Sequence, residues 1–252
     1  NLKKAMSDID IVIHLAAITD APSTINNPKE THKVNFIGTK NVLEASLKSD
    51  VKKFLYASTT SVYGEAEGLI DESYAQNKYK PSSPYAESKL KAENLVRKIA
   101  KENNINANVL RKGTIFGTSI GMRFHTAVNK FCYLAINNKP LTVWENVLEQ
   151  KRPYLGLYDA IKAYAFLEKK GKSGELYNVL TANFTLQEII NTIKKFIPEL
   201  KIQMTKSPIL NQKSYEVSDE KLRSLGFKPQ DSLECGIKAT LDLFKAIKIY
   251  KQ

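Results

Sequence analysis

Apolar and polar positions along this chain follow two alternating periods. Residues 10–17, Asp-Ile-Val-Ile-His-Leu-Ala-Ala, form a near-continuous apolar run bounded by polar positions, the pattern of a parallel strand covered on both faces. Residues 28–48 switch to a helical period: Pro28 suits a first turn, and Val34, Ile37, Val42 and Ala45 fall roughly on one face. The pattern then predicts a strand over 53–58, a polar, turn-rich stretch to Pro84, a helix over 85–102 and a strand over 107–111. In that helix Leu90, Leu95, Val96 and Ile99 are expected inside. Strand and helix alternating at this spacing predict βαβ crossovers, and so an α/β fold with a doubly wound parallel sheet.

Beyond Gly113 the alternation loosens. Helices are predicted over 124–137 and 159–169, and short strands over 141–144 and 175–180. Thr185-Leu-Gln-Glu188 reads as a capping box opening a helix that stops before Pro198. Ser218 and Gly226 bracket a short helix, and Ser232 caps a last amphipathic one in which Leu233, Ile237, Leu241 and Phe244 recur at helical spacing. No internal repeat is visible, and the second half is expected to form a smaller α/β lobe packed on the sheet.

Composition narrows the function classes. With 252 residues, 42% hydrophobic and 25% charged, the chain is ordinary globular material. Apolar runs such as 11–17 fall far short of the ~20 residues that cross a bilayer, and no leader pattern opens the chain. Neither a membrane partner nor secretion is expected. Cys132 and Cys235 make no disulfide framework or four-ligand zinc site, and His14, His32 and His125 lack metal spacing, so no metal and a reducing, cytoplasmic setting are expected. The net charge of +12 raises the question of nucleic acid, but five arginines stand against thirty-three scattered lysines. Phosphate and base readers lean on the arginine fork, so a solvated lysine-rich surface and no nucleic-acid partner are expected.

Tyr85-Ala-Glu-Ser-Lys89 places a phenol and an ammonium four residues apart, on one helix face. A free phenol has a pKa near ~10, and lowering it by about 3 units takes ~4 kcal/mol of differential stabilisation, within reach of neighbouring cations. Such a tyrosine serves as a general acid/base near neutral pH. Alone, the pair is common on solvated faces. Here Tyr56-Ala-Ser-Thr-Thr-Ser-Val-Tyr-Gly64 stands at a predicted strand end, where ligands bind in open α/β sheets, and Ser58, Thr59 and Thr60 supply hydroxyls for a substrate oxygen.

With these residues in this order, the chain resembles the extended short-chain dehydrogenase/reductase family, and within it the nucleotide-sugar epimerases and dehydratases, especially members like UDP-glucose 4-epimerase. The matching segments are Val12-Ile-His-Leu-Ala-Ala17, Asn35-Phe-Ile-Gly-Thr39, Ser58-Thr-Thr-Ser-Val-Tyr-Gly64, Pro84-Tyr-Ala-Glu-Ser-Lys89, 111–117, Gln150-Lys-Arg-Pro-Tyr154 with Asp159, Gly174-Glu-Leu-Tyr-Asn178 and Leu225-Gly-Phe-Lys-Pro229. The resemblance implies Tyr85 as acid/base, Lys89 as its pKa-lowering partner and ligand of the nicotinamide ribose, and Thr59 as hydrogen-bond partner of the reacting sugar oxygen. It implies that Leu15, Ala16, Ala17 and Thr19 line an NAD cofactor (NADP remaining open), with Ser58 beside it and Asn35 holding the adjacent backbone. Arg152, with Arg123 and Thr60, would hold a nucleotide-sugar, UDP-linked on this reading. The implied domains are a Rossmann-like unit over 1–117 with 154–180 returning to it, and a substrate lobe over 118–153 and 181–252. A homodimer joined through the helices at 28–48 and 85–102 is also implied.

Three departures qualify the resemblance. No glycine-rich phosphate fingerprint occurs and the first glycine is Gly38, so the chain is expected to be a portion of a longer protein lacking about two βα units of roughly 30 residues each. Dehydratases of the family place Asp-Glu after the catalytic Thr. Thr60 and Ser61 stand there instead, which disfavours water loss. Lys112-Gly113-Thr114 replaces the Tyr-Phe-Asn of many 4-epimerases and leaves the sugar open. The expected activity is NAD-dependent 4-epimerisation of a nucleotide-sugar. The alternatives are an NAD(P)H-dependent keto-sugar or carbonyl reductase and a non-enzymatic binding member of the family.

Overall fold

The computed structural model describes residues 2–74, 78–206 and 215–249. In chain order the elements are α1 (Leu2–Ala5), β1 (Ile11–His14), α2 (Ala21–Thr24), α3 (Pro28–His32), α4 (Gly38–Lys48), β2 (Lys53–Thr59), β3 (Gly68–Ile70), α5 (Pro84–Glu102), β4 (Asn106–Lys112), β5 (Thr114–Phe116) and α6 (Ala127–Ile136). There follow β6 (Leu141–Trp144), β7 (Arg152–Gly156), α7 (Leu157–Lys170), β8 (Leu176–Val179), β9 (Ala182–Phe184), α8 (Leu186–Phe196), β10 (Ile202–Thr205), β11 (Tyr215–Val217), α9 (Glu220–Ser224) and α10 (Leu233–Ile249).

The main sheet has the order β1-β2-β4-β8 and every pairing is parallel. This is the α/β architecture that the alternating periods predict. β2 is buried at all seven positions because helices cover both of its faces. On one face Phe54, Tyr56, Ala107 and Val109 meet Leu43, Ala92, Val96 and Ala100 of α4 and α5. On the other, Leu55, Leu110 and Tyr177 meet Ala160, Ala163 and Leu167 of α7, and Leu222 of α9 with Phe227 joins them there. A separate core gathers α6, α8 and α10 through Phe131, Ile189, Ile193, Ile237, Leu241 and Phe244, together with Leu141 and Val143 of β6. A three-stranded sheet, β5-β7-β9, lies beside it.

Several expectations change in the structure. β1 is not covered on both faces: Ile11, Ile13 and Leu15 are 41%, 48% and 55% exposed, and only His14 of the strand is buried. The helix at 28–48 turns its inward line through Thr31, Asn35, Thr39, Leu43 and Ser46, while Ile37 is exposed. A π-helical turn at Lys33–Ile37 produces this offset, since each i to i+5 turn rotates the following side chains away from a strict 3.6 period. In α5 the deeply buried positions include Lys89 and Glu93, and the residue types alone would have placed both outside. The capping box of α8 is complete: Thr185 accepts from the Glu188 amide and Glu188 accepts from the Thr185 amide.

Candidate active site

The carboxyl ends of β2 and β4 open into a cleft of about 450 Å³ between the main sheet and the α6 lobe. Thr19, Ser58, Thr59, Thr60, Tyr85, Lys112, Arg123 and Arg152 all line it. Local chemistry sets each of them there. β2 ends at Thr59, whose hydroxyl accepts from the Ser61 amide and caps the short 3-10 turn Thr60–Tyr63. The turn ends at Gly64, with φ of +65°, where a Cβ would lie 1.7 Å from the Lys80 carbonyl oxygen. α5 begins at Ser83, which caps the Ala86 amide, and Pro84 occupies the first turn, so Tyr85 projects from the helix start toward the end of β2. At Gly113 a Cβ would meet the Pro153 backbone at 2.9 Å, and that close approach brings Arg152 into the wall.

Burial pushes the Tyr85 phenol above its ordinary pKa, while a hydrogen bond with Thr59 and the charge of Arg123 draw it down. Lys89 sits behind the cleft at 2% exposure, donating to the Ala57 carbonyl at 2.9 Å with its ammonium 4.9 Å from the centre of the Tyr56 ring. Burial lowers its pKa to about 7, helped by repulsion from Lys112 and opposed by Glu93. Arg123 reaches across to donate to the Thr19 hydroxyl. Arg152 lies over Tyr215 with 4.9 Å between guanidinium and ring centre.

Some residues singled out from the sequence stand elsewhere or are otherwise engaged. Leu15 and Ala16 are exposed, Ala17 is partly so, and none of the three lines the cleft. Asn35 is fully buried; its side chain accepts from the Ile18 amide at 2.8 Å and donates to the Ile18 carbonyl at 2.9 Å, fixing the segment that carries Thr19. Ser58 donates to Glu93, and Thr60 donates to the Lys112 carbonyl and hydrogen-bonds Tyr215. Among the described residues no group of three or more His, Cys, Asp or Glu side chains could hold a metal.

Reading the sequence missed the Glu93–Arg111 pair beneath the cleft. Each side chain is 1% exposed; Arg111 Nη2 lies 2.6 Å from Glu93 Oε2, and the guanidinium lies 4.8 Å and 4.9 Å from the centres of the Tyr63 and Tyr79 rings. The pair anchors Ser58 through Glu93. A signal was present, because Glu93 follows Tyr85 and Lys89 at spacings of four along the same helix face.

The NAD dependent epimerase/dehydratase family profile matches residues 1–179. The chain belongs to this family. It is 30% identical over 248 residues to the dTDP-D-glucose 4,6-dehydratase of Mus musculus, covering 94% of this chain and 68% of that protein. It superposes on UDP-glucuronic acid 4-epimerase from Bacillus cereus, solved with UDP-glucuronic acid and NAD, with a TM-score of 0.87 and 27% identity over 98% of this chain and 79% of that one. For UDP-glucose 4-epimerase from Thermotoga maritima with UDP-glucose the values are 0.85 and 25%, over 98% and 81%. Buried Lys89, the Thr59 and Tyr85 hydroxyls and the pinned segment ending at Thr19 fit the nicotinamide and ribose end of a dinucleotide. The described residues offer no glycine-rich turn for its pyrophosphate, and Gly38, the first glycine, lies inside a helix.

Proposed function

We propose that this chain carries the catalytic and substrate-binding machinery of an NAD-dependent nucleotide-sugar 4-epimerase. The observation that carries the reading is the make-up of the cleft: the Tyr85 phenol and the Thr59 hydroxyl line it together, with no carboxyl group among the described lining residues. Removing water from neighbouring sugar carbons needs one group to take the carbon-bound proton and another to protonate the departing hydroxyl. Thr60 and Ser61 do not ionise near neutral pH, and Thr60 is already hydrogen-bonded to Tyr215. Inverting a carbinol through its ketone needs a single proton shuttle, and Tyr85 suffices for that.

On this reading the Tyr85 oxygen takes the proton of the sugar 4-hydroxyl and later returns it. Thr59 hydrogen-bonds the same oxygen and steadies the phenolate. Lys89, fixed by the Ala57 carbonyl, holds the nicotinamide ribose, and Asn35 positions Thr19 at the edge of the dinucleotide site. NAD would supply reversible hydride acceptance at the sugar carbon that Tyr85 and Thr59 face. Arg152 and Arg123 take the diphosphate. The neighbouring cavity of about 350 Å³, lined by Phe131, Trp144 and Tyr154 and sharing Arg152 with the cleft, takes the base.

The test is product analysis by NMR after incubation with UDP- and dTDP-glucose and NAD at catalytic amounts. The expected outcome is the 4-epimer with no net redox change, and a loss of about 10²–10⁴ in kcat for Tyr85→Phe. A 4-keto-6-deoxy sugar as the product, or full activity of Tyr85→Phe, would overturn the proposal.

A further inference from the structure

Lys112 is the last residue of β4 and pairs in register with Thr59 of β2, so its side chain enters the cleft at the catalytic end. Its backbone carbonyl is tied to the Thr60 hydroxyl. The ammonium has no carboxylate partner: no ion pair or hydrogen bond reaches it from the described residues, and its aromatic neighbour is the Tyr164 ring, with 5.8 Å from Nζ to the ring centre. Desolvation without compensation brings its pKa down to about 8, so it is still mostly charged at neutral pH.

The charge inventory of the cleft is one-sided. Lys112, Arg123 and Arg152 line it, and no Asp or Glu does so among the described residues. A nucleoside diphosphate ester brings about two negative charges, which the two arginines match in number. Lys112 remains, in register with Thr59 and beside the hydroxyls that face the reacting carbon. A neutral sugar would strip water from this ammonium and leave it facing hydroxyls only, whereas an anionic sugar substituent would neutralise it in a low-dielectric setting where a close pair counts most.

We propose that Lys112 is a specificity-determining residue that selects a nucleotide-sugar carrying a carboxylate on the reacting ring, a hexuronate. The inference rests on the nucleotide-sugar reading above and adds the class of sugar. Lys112 engages the carboxylate while Thr59 and Tyr85 hold the hydroxyl that reacts. The same anion screens Lys89 from the repulsion of Lys112.

Calorimetric titration of the purified protein with matched pairs, glucose against glucuronate on uridine diphosphate and on thymidine diphosphate, decides it. On whichever carrier binds, the uronate is expected to bind about thirtyfold or more tightly than the neutral sugar, the range that a desolvated charge pair supplies. Lys112→Gln is expected to erase that preference by weakening the uronate alone, and Lys112→Arg to restore part of it. Equal or better binding of the neutral sugar by the wild-type protein overturns the assignment, with no variant needed. A uronate preference that survives Lys112→Gln also overturns it. Failure of all four nucleotide-sugars to bind overturns the nucleotide-sugar reading itself, a distinct result.

Discussion

Arg111→Met isolates the buried ion pair beneath the cleft. The guanidinium makes three hydrogen bonds to Glu93, at 3.1, 3.1 and 2.6 Å, and a fourth at 2.9 Å to the Tyr79 hydroxyl, while stacking between two tyrosine rings. Methionine fills much of the volume but leaves a carboxylate at 1% exposure with only Ser58 donating to it. Orphaning one member of a buried pair costs about 3–5 kcal/mol, and each lost ring contact adds up to ~1 kcal/mol. Taking about 4 kcal/mol as the central figure, and 2–4 °C per kcal/mol for a chain of this size, the melting temperature is expected to fall by roughly 8–16 °C. Scanning calorimetry with urea unfolding reads the change. The double variant Arg111→Met/Glu93→Leu removes the stranded charge and is expected to recover more than half of the loss, the remainder being the Ser58 hydroxyl left without its acceptor. A fall of under about 3 °C for the single variant, or a double variant as unstable as the sum of the two singles, would refute the view that the pair is a coupled, desolvated unit.

The remaining predictions concern protons and the pinned segment. Thr59→Val removes the interaction that draws Tyr85 down, so the acid limb of the pH–kcat profile, where the phenolate is protonated, should move to higher pH; an unmoved limb counts against the Thr59–Tyr85 contact. Lys89, Lys53 and Lys112 carry folded-state pKa values of about 7, 8 and 8 against 10.5 unfolded, so the unfolded chain binds more protons from about pH 7 to 10.5 and stability should rise with pH there. Thermal scans should show that rise and its flattening in Lys89→Met, and a flat or falling wild-type curve would contradict it. Asn35→Leu should cost about 1–3 kcal/mol and deprotect the Ile18 amide to hydrogen exchange; unchanged protection would mean that Asn35 does not pin the segment.

The fold was legible wherever one period ran uninterrupted. Strands β2, β4 and β8 and helices α5, α7, α8 and α10 follow from burial periods and caps that are local in sequence. Lys53–Thr59 is apolar enough to read as a doubly covered strand, and it is one. Short strands such as Thr114–Phe116 and Ala182–Phe184 escaped because three residues carry no period, and their pairing with β7 comes from tertiary contacts. The helix at 28–48 misled for a local reason, since one wide turn at Lys33–Ile37 shifted the inward line that follows it onto Thr39, Leu43 and Ser46.

The site was legible in kind more than in detail. Residue types and spacing point to Thr59 and Tyr85, the family resemblance adds Arg123 and Arg152, and all four line one cleft, but the partner of each side chain depends on which groups lose water together. Tyr85 and Lys89 share a helix face, while the Lys89 ammonium donates to the Ala57 carbonyl and the charge of Arg123 also draws the phenol down. Ser58 and Thr60 were expected to meet ligands, and they bond instead to Glu93 and to the Lys112 carbonyl. Sequence spacing shows which groups can meet, whereas desolvation decides which meetings are favourable. A buried carboxylate draws its arginine and its serine, and a carbonyl at a strand end draws the lysine. Lys112 is where that rule meets an open cavity: Lys89 and Arg111 have partners within the fold, no carboxylate reaches the Lys112 ammonium among the described residues, and on the reading proposed above its partner arrives with the substrate.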